Sequence, residues 1–147
     1  MNKLIVKKSI EINAPVARVW EALTKPEFTQ KYMYNSFIES DWKVGGPFIW
    51  KGVVDGKKVV HLTGELLKFV PNKSLHYTCF WPGSGLEDKP ENTTTVTYEL
   101  SYDNDKVLLE VTQGDFSTFK DAKEKYKHAS DGWDGTLKEF KKIFGEK

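Results

Sequence analysis

The sequence has 147 residues, of which 29% are charged and 14% aromatic, and its formal net charge is +1. A chain of this length suits one domain, here residues 1–147, that buries a core without disulfides or metals, and the balanced charge gives no reason to expect a nucleic-acid partner. Its one cysteine, Cys79, excludes an intrachain disulfide and suits a reducing compartment.

The N-terminal segment predicts one strand followed by two short helices. Residues 5–12 alternate apolar and polar side chains, which indicates a strand, and they lack the continuous apolar run of a signal peptide. The pattern then changes to a helical period, with apolar residues at Val16, Val19, Trp20 and Leu23. Pro26 should end this helix near Thr24, because the residue before a proline avoids helical angles. Residues 27–34 predict a second short helix.

The stretch from residue 37 to about residue 113 predicts a run of roughly six antiparallel strands. At its start, Gly45 and Gly46 should turn the chain after a strand that ends at Trp42. Asp55-Gly56 then predicts the two-residue turn of a hairpin. That turn places Trp50 opposite His61.

A second hairpin spans residues 96–111, with Asn104-Asp105 as its turn. This register pairs Tyr98, Leu100 and Tyr102 with Val111, Leu109 and Val107, so that apolar side chains share one face.

The C-terminal segment predicts a long helix, because apolar residues recur every three or four positions from Phe119 to Phe144. Ser117 or Thr118 is a suitable residue to cap its start. Strands and helices are segregated along the chain, which favours an α+β fold in which this helix crosses one face of a curved antiparallel sheet.

Four segments together resemble the family of homologues of the activator of heat-shock-protein ATPase, within the helix-grip superfamily of START-like and birch-pollen-allergen-like domains. They are "APVARVWEALTKPE" (14–27), "DWKVGGPFIW" (41–50), "GELLKFVPNKSLHYT" (64–78) and "DGWDGTLKEFKK" (131–142). The resemblance implies a curved antiparallel sheet that grips the C-terminal helix around a cavity, with two short helices after the first strand. The family takes its name from a eukaryotic co-chaperone in which such a domain follows a separate N-terminal domain, for which this sequence has no room.

The sequence gives no motif for catalysis, metal or cofactor binding. His61, His76, His128 and Cys79 lack the close spacing of zinc ligands, and no nucleophile elbow or phosphate-binding glycine loop is present. Cys79 lies in an aromatic strand, where a buried thiol is the simpler interpretation.

A ligand site is the alternative suggested by the aromatic and polar residues of the predicted sheet and helix. The first hairpin groups Phe48, Trp50, His61, Thr63 and Glu65 on one face. This face is either a polar corner of an apolar cavity or a solvent-exposed outer surface, and periodicity does not decide between them. The candidate ligand-binding set is completed by Tyr77, Tyr98, Leu100, Trp133 and Leu137, for which ordinary core packing is the competing interpretation.

Three functions remain open from the sequence. The first is a cytoplasmic domain that binds a small hydrophobic or amphipathic molecule. The second is a protein-interaction domain with a chaperone as its partner. The third is a cyclase- or hydrolase-type enzyme, in which His61 and Glu65 are the first candidates for the polar cavity residues. No run of apolar residues approaches the roughly 20 that span a bilayer.

Overall fold

A computed structural model describes residues 3–33, 35–103 and 106–144, except for the side chains of Ser84 and Asp103. Its strands are β1 (Val6–Ile12), β2 (Ser36–Ser40), β3 (Pro47–Val54), β4 (Lys57–Val70), β5 (Ser74–Cys79), β6 (Thr94–Asp103) and β7 (Lys106–Gly114). Its helices are α1 (Val16–Thr24), α2 (Pro26–Tyr32) and α3 (Ala122–Lys142). The strands form one curved antiparallel sheet in the order β1-β7-β6-β5-β4-β3-β2. The predicted α+β, helix-grip fold is therefore confirmed.

The boundary between α1 and α2 follows from the proline that separates them. Lys25 has extended angles (φ −89°, ψ 138°) and ends α1, as expected for a residue before proline. Pro26 then begins α2, where its missing N–H costs no hydrogen bond. The predicted strand–helix–helix order of this segment is confirmed.

The hairpin of β6 and β7 has the predicted register. Tyr98 pairs with Val111, Leu100 with Leu109 and Tyr102 with Val107. Its predicted turn residues, Asn104 and Asp105, lie outside the described part of the chain. All but one of the six paired side chains are buried, and the exception is Tyr102, which is 59% exposed. The inner face of this hairpin is therefore apolar over these three pairs.

The register predicted for the hairpin of β3 and β4 is wrong beyond its turn. The turn itself forms, with positive φ angles of 51° at Asp55 and 77° at Gly56. A β-bulge between Trp50 and Lys51 then shifts the pairing, so that Trp50 lies opposite Leu62 and not opposite His61. The bulge adds one residue to β4, and an extra residue reverses the face of every residue beyond it.

The glycine turn before β3 is confirmed, although the strand before it ends earlier than predicted. β2 ends at Ser40, and Trp42 lies beyond it in the loop. Gly45 has a φ of +90°, an angle that glycine adopts without strain. The backbone of this turn bonds to β4, because Gly45 N–H donates to Leu66 O at 2.8 Å and Leu66 N–H donates to Gly46 O at 3.0 Å.

The long C-terminal helix starts later than predicted, and neither predicted residue caps it. The residue before α3 is Asp121, with a φ of 59° and no side-chain capping hydrogen bond. Ser117 instead bonds to the Asp115 carboxylate through both its N–H and its hydroxyl, each at 2.8 Å. Thr118 donates to Glu91 O at 2.9 Å. Both residues are thus engaged in the loop between β7 and α3.

The core lies between the inner face of the sheet and the three helices. α3 contributes its predicted stripe, of which Trp133, Leu137 and Phe140 are buried. A salt bridge of 3.0 Å between Lys8 of β1 and Asp134 joins the helix to the sheet. Further along α3, the helix and the sheet remain apart, and a cleft lies between them.

Candidate functional site

An open cleft of about 920 Å³ lies between the inner face of the sheet and α3. Its floor includes Tyr77, Cys79, Val96 and Gln113 of the sheet, and Trp133 and Thr136 of the helix face it. The arm of the β3–β4 hairpin contributes residues 59–62, and Met33 and Phe116 also line the wall. The sequence predicted a cavity between these two elements only through the family resemblance.

A continuous set of aromatic rings supports the floor of the cleft. Phe48 stacks on Tyr77 with ring centroids 4.1 Å apart. Tyr98 lies 6.1 Å from Tyr77 and meets Trp133 edge-on at 6.0 Å. Such offset and edge-to-face contacts are favourable arrangements for aromatic pairs. These contacts hold Tyr77 of the sheet and Trp133 of the helix in place at the floor of the cleft.

Hydrogen bonds link three of the buried aromatic side chains. Trp50 Nε1–H donates to the Tyr77 hydroxyl at 3.3 Å, and the hydroxyl oxygens of Tyr77 and Tyr98 lie 3.4 Å apart. Burial raises the pKa of both phenols well above their usual range, with the neighbouring Tyr98 as a further cause at Tyr77. Both therefore remain neutral at physiological pH and offer hydroxyl groups, not phenolate charges.

Gln113 connects the helix to the sheet at the floor of the cleft. Its side-chain oxygen accepts a hydrogen bond from Trp133 Nε1–H at 2.8 Å, and its Nε2–H donates to the Thr94 hydroxyl at 3.0 Å. Gln113 is not among the residues that the sequence predicts for the site. The available signal was a polar side chain at the next inward position of β7 after Val107, Leu109 and Val111.

The helical side of the cleft carries charge where the floor does not. Asp121, Glu124, Lys125 and His128 line it, and all but the half-buried Lys125 are exposed to solvent. A charged rim above an apolar and aromatic floor matches a molecule with one polar end and one apolar body.

His61 is the unpaired residue of the β-bulge, and it faces the cleft. A Cβ atom at Gly52 would lie only 2.5 Å from His61 Nε2, so the imidazole occupies the space that the missing side chain leaves. His61 is half-buried and lines the cleft beside Leu62. The glycine at position 52 therefore determines where this polar group lies.

The predicted ligand-binding residues separate into three groups in the structure. His61, Tyr77 and Trp133 line the cleft. The core behind its wall contains Phe48, Trp50, Tyr98, Leu100 and Leu137, all of them buried. Thr63 bridges to Phe80, and Glu65 is exposed. The predicted face that combined Trp50 with Thr63 and Glu65 does not exist, because the bulge moves the last two to the opposite face.

Cys79 lines the cleft without the properties of a nucleophile. Burial raises the pKa of its thiol to about 12, so the thiol is protonated at neutral pH. Across the described residues, no three His, Cys, Asp or Glu side chains come close enough to hold a metal ion. Among the helices described, none is long and apolar enough to cross a membrane.

Comparisons with known proteins agree with this architecture. The model of the family described as "Activator of Hsp90 ATPase homolog 1-like protein" matches residues 13–145. A solution structure of a protein from Cytophaga hutchinsonii is 36% identical, with a TM-score of 0.78 over 97% of this chain and 95% of that one. None of the curated proteins gives a significant match.

Two more distant structures share the fold. A crystal structure of a Mesorhizobium loti protein is 23% identical, with a TM-score of 0.72 over 95% of both chains. The solution structure described as the Aha1 dimer from Colwellia psychrerythraea is 19% identical, with a TM-score of 0.70 over 95% of both chains. At these identities the likeness concerns the fold alone.

Proposed function

Because the chain belongs to the family of activator of Hsp90 ATPase homolog 1-like proteins, we propose that it binds a hydrophobic or amphipathic small molecule between its sheet and α3. The observation that carries the proposal is the cleft itself. Its volume of about 920 Å³ lies within the range of roughly 300–1,000 Å³ typical of small-molecule sites.

The residues of the cleft define the chemistry of the proposed ligand. Val96, Phe116 and Trp133 offer apolar and aromatic contact for its body. Glu124, Lys125 and His128 offer polar contact for a head group at the rim. The ligand is therefore amphipathic, with its apolar part between sheet and helix. The single cysteine is consistent with binding in the cytoplasm.

Native mass spectrometry of the protein purified from cells tests the proposal directly. A small molecule that copurifies and is released on unfolding is the expected result. Titration of the ligand-free protein with an apolar naphthalene, followed by tryptophan fluorescence, provides a second measurement.

Two glycines of α3 give a matched pair of variants for both measurements. A Cβ at Gly132 or at Gly135 meets no other atom within 4 Å, so either position accepts a side chain. Gly132 lines the cleft, whereas Gly135 lines a separate depression of about 210 Å³ near Tyr32 and Glu139. Gly132→Leu should place a side chain in the cleft and weaken binding, and Gly135→Leu should bind like the parent. Equal binding by both variants would contradict the proposal.

A chaperone partner is the second candidate function, and the family match is the observation that favours it. This function needs a protein interface and does not need the cleft to be open. The measurement is the ATPase rate of a purified Hsp90 chaperone at increasing concentrations of this protein. A saturable stimulation that Gly132→Leu preserves would support the chaperone role, and an unchanged rate would leave the ligand-binding proposal as the better account.

A further inference from the structure

The hydrogen-bonded group of Trp50, Tyr77 and Tyr98 contains one more donor than it uses. The indole N–H only donates, and each phenol has one proton to donate and two lone pairs that accept. Trp50 donates to Tyr77 at 3.3 Å, and a single bond of 3.4 Å joins the two hydroxyls. The group thus has three protons but only two hydrogen bonds, which leaves one proton over. Within the described ranges, the structure gives the third proton no acceptor.

This spare donor lies in a setting where a missing acceptor is costly. Tyr77 is 1% exposed and Tyr98 is 2% exposed, so only a small part of Tyr77 borders the cleft and little water competes for either hydroxyl. A buried donor without a partner loses its hydration and gains nothing in exchange. A ligand that brings an acceptor oxygen to this position would restore the missing bond.

The location of Tyr77 shows where such an acceptor would come from. Tyr77 is part of the cleft floor, whereas Tyr98 lies behind it in the core. Either hydroxyl can be the donor in the bond between them. When Tyr98 donates to Tyr77, the Tyr77 proton is free to point elsewhere.

We propose that the Tyr77 hydroxyl is the polar anchor of the cleft and that it selects ligands with a neutral hydrogen-bond acceptor, such as a ketone or ester oxygen, on an apolar body. This inference rests on the proposed ligand-binding function. In the bound state Trp50 and Tyr98 both donate to the two lone pairs of Tyr77, and Tyr77 donates to the ligand. Every proton then has an acceptor, and each bond polarises the next in the same direction.

The same arrangement discriminates against other ligand chemistries. A donor group on the ligand would find a free lone pair on Tyr77 only when Tyr77 donates to Tyr98, and the Tyr98 proton then has no acceptor. A carboxylate would lose its hydration on the aromatic floor, where the structure places Trp133 and Val96. A neutral acceptor meets neither penalty.

Two probes of the same shape test the anchor. Methyl naphthyl ketone carries an acceptor oxygen, and isopropenylnaphthalene replaces that oxygen with a CH₂ group. Calorimetric titration of the parent protein should show that the ketone binds roughly tenfold more tightly, the effect of one hydrogen bond in a dry site. In Tyr77→Phe this preference should disappear while the hydrocarbon still binds.

Tyr32→Phe is the matched control, since it also removes a buried phenol hydroxyl. That hydroxyl donates to Ala22 O at 2.7 Å, and Tyr32 lies outside the cleft wall. The control should keep the preference for the ketone. Equal binding of the two probes to the parent protein, or a preference that survives in Tyr77→Phe, would overturn the anchor but not the cleft. If neither probe binds, the anchor and the proposed function both fail.

Discussion

The indole N–H of Trp133, on α3, donates a 2.8 Å hydrogen bond to the side-chain oxygen of Gln113, on β7. Trp133 is 8% exposed and Gln113 5% exposed, so this bond fixes the helix to the sheet with little competition from water. It also fixes the width of the cleft at its floor, because both residues line it.

Loss of the acceptor in this bond should destabilise the protein. Gln113→Leu leaves Trp133 Nε1–H buried and without a partner, which costs about 1–3 kcal/mol. The measurement is the free energy of unfolding from urea denaturation. Trp133→Phe combined with Gln113→Leu removes both polar groups, so the double variant should lose less than the sum of the single losses. Strict additivity would contradict a direct interaction between the two side chains.

Gly45 and Gly46 should tolerate substitution differently, because different physical constraints act on them. Gly45 has a φ of +90°, and a Cβ added there would meet no other atom within 4 Å, so Gly45→Ala strains the backbone alone. At Gly46 a Cβ would lie 2.7 Å from Asp41 Oδ1. Each alanine should lower stability by about 1 kcal/mol or more. Asp41→Ala should reduce the cost at Gly46 and leave the cost at Gly45 unchanged, as thermal denaturation of the single and double variants would show.

Asp115 should make stability depend on pH in the acid range. Backbone N–H groups of Leu4 and Ser117 donate to its carboxylate, at 2.9 and 2.8 Å, and hold its pKa below the usual value. A depressed folded-state pKa stabilises the fold above the unfolded-state pKa of about 3.9. That stabilisation is lost as the pH falls through the folded-state pKa.

Asp115→Asn removes this titration. The variant should be less stable than the parent at neutral pH, and the difference should shrink as the pH drops below about 4. Urea denaturation across this range measures both proteins. A difference that stays constant with pH would show that the charge of Asp115 does not contribute.

Cys79 should resist alkylation in the folded protein. Its thiol has a pKa of about 12 because of burial, and only the thiolate reacts quickly. Iodoacetamide at neutral pH should label Cys79 at a rate limited by unfolding, and urea should accelerate the labelling. Fast labelling of the native protein, measured by mass spectrometry, would show that the cleft exposes the thiol.

The accuracy of the sequence-based predictions differed between the two hairpins for a physical reason. In β6 and β7 the alternation of Tyr98, Leu100, Val111 and Leu109 agrees with the turn length, so one register satisfies both. In β3 and β4 the turn at Asp55-Gly56 requires one register and burial of Leu66 requires the other. The prediction used turn geometry alone, so it gave the first register and missed the β-bulge that accommodates both.

The candidate site was less predictable than the fold because it depends on side-chain partners distant in sequence. Their aromatic character makes Tyr77 and Trp133 candidates from the sequence, and both line the cleft. Gln113 was missed, since only the position of Trp133 above it reveals why a polar residue lies on an apolar face. Glu65 was selected on a register that the bulge invalidates.

The β-bulge also leaves one residue of β4 outside the pairing of the two strands. Lys51 pairs with Val60 and Trp50 pairs with Leu62, so His61 lies between two consecutive pairs and belongs to neither. The β3–β4 pairs on the two sides of the bulge form two separate ladders. Deletion of His61 would therefore join them into one regular ladder, with every other pair of the hairpin kept. The imidazole in the cleft thus comes from a position that strand pairing does not constrain. Evolution can change the side chain at this position, or remove it, and so alter the wall of the cleft while the ladder on either side stays the same.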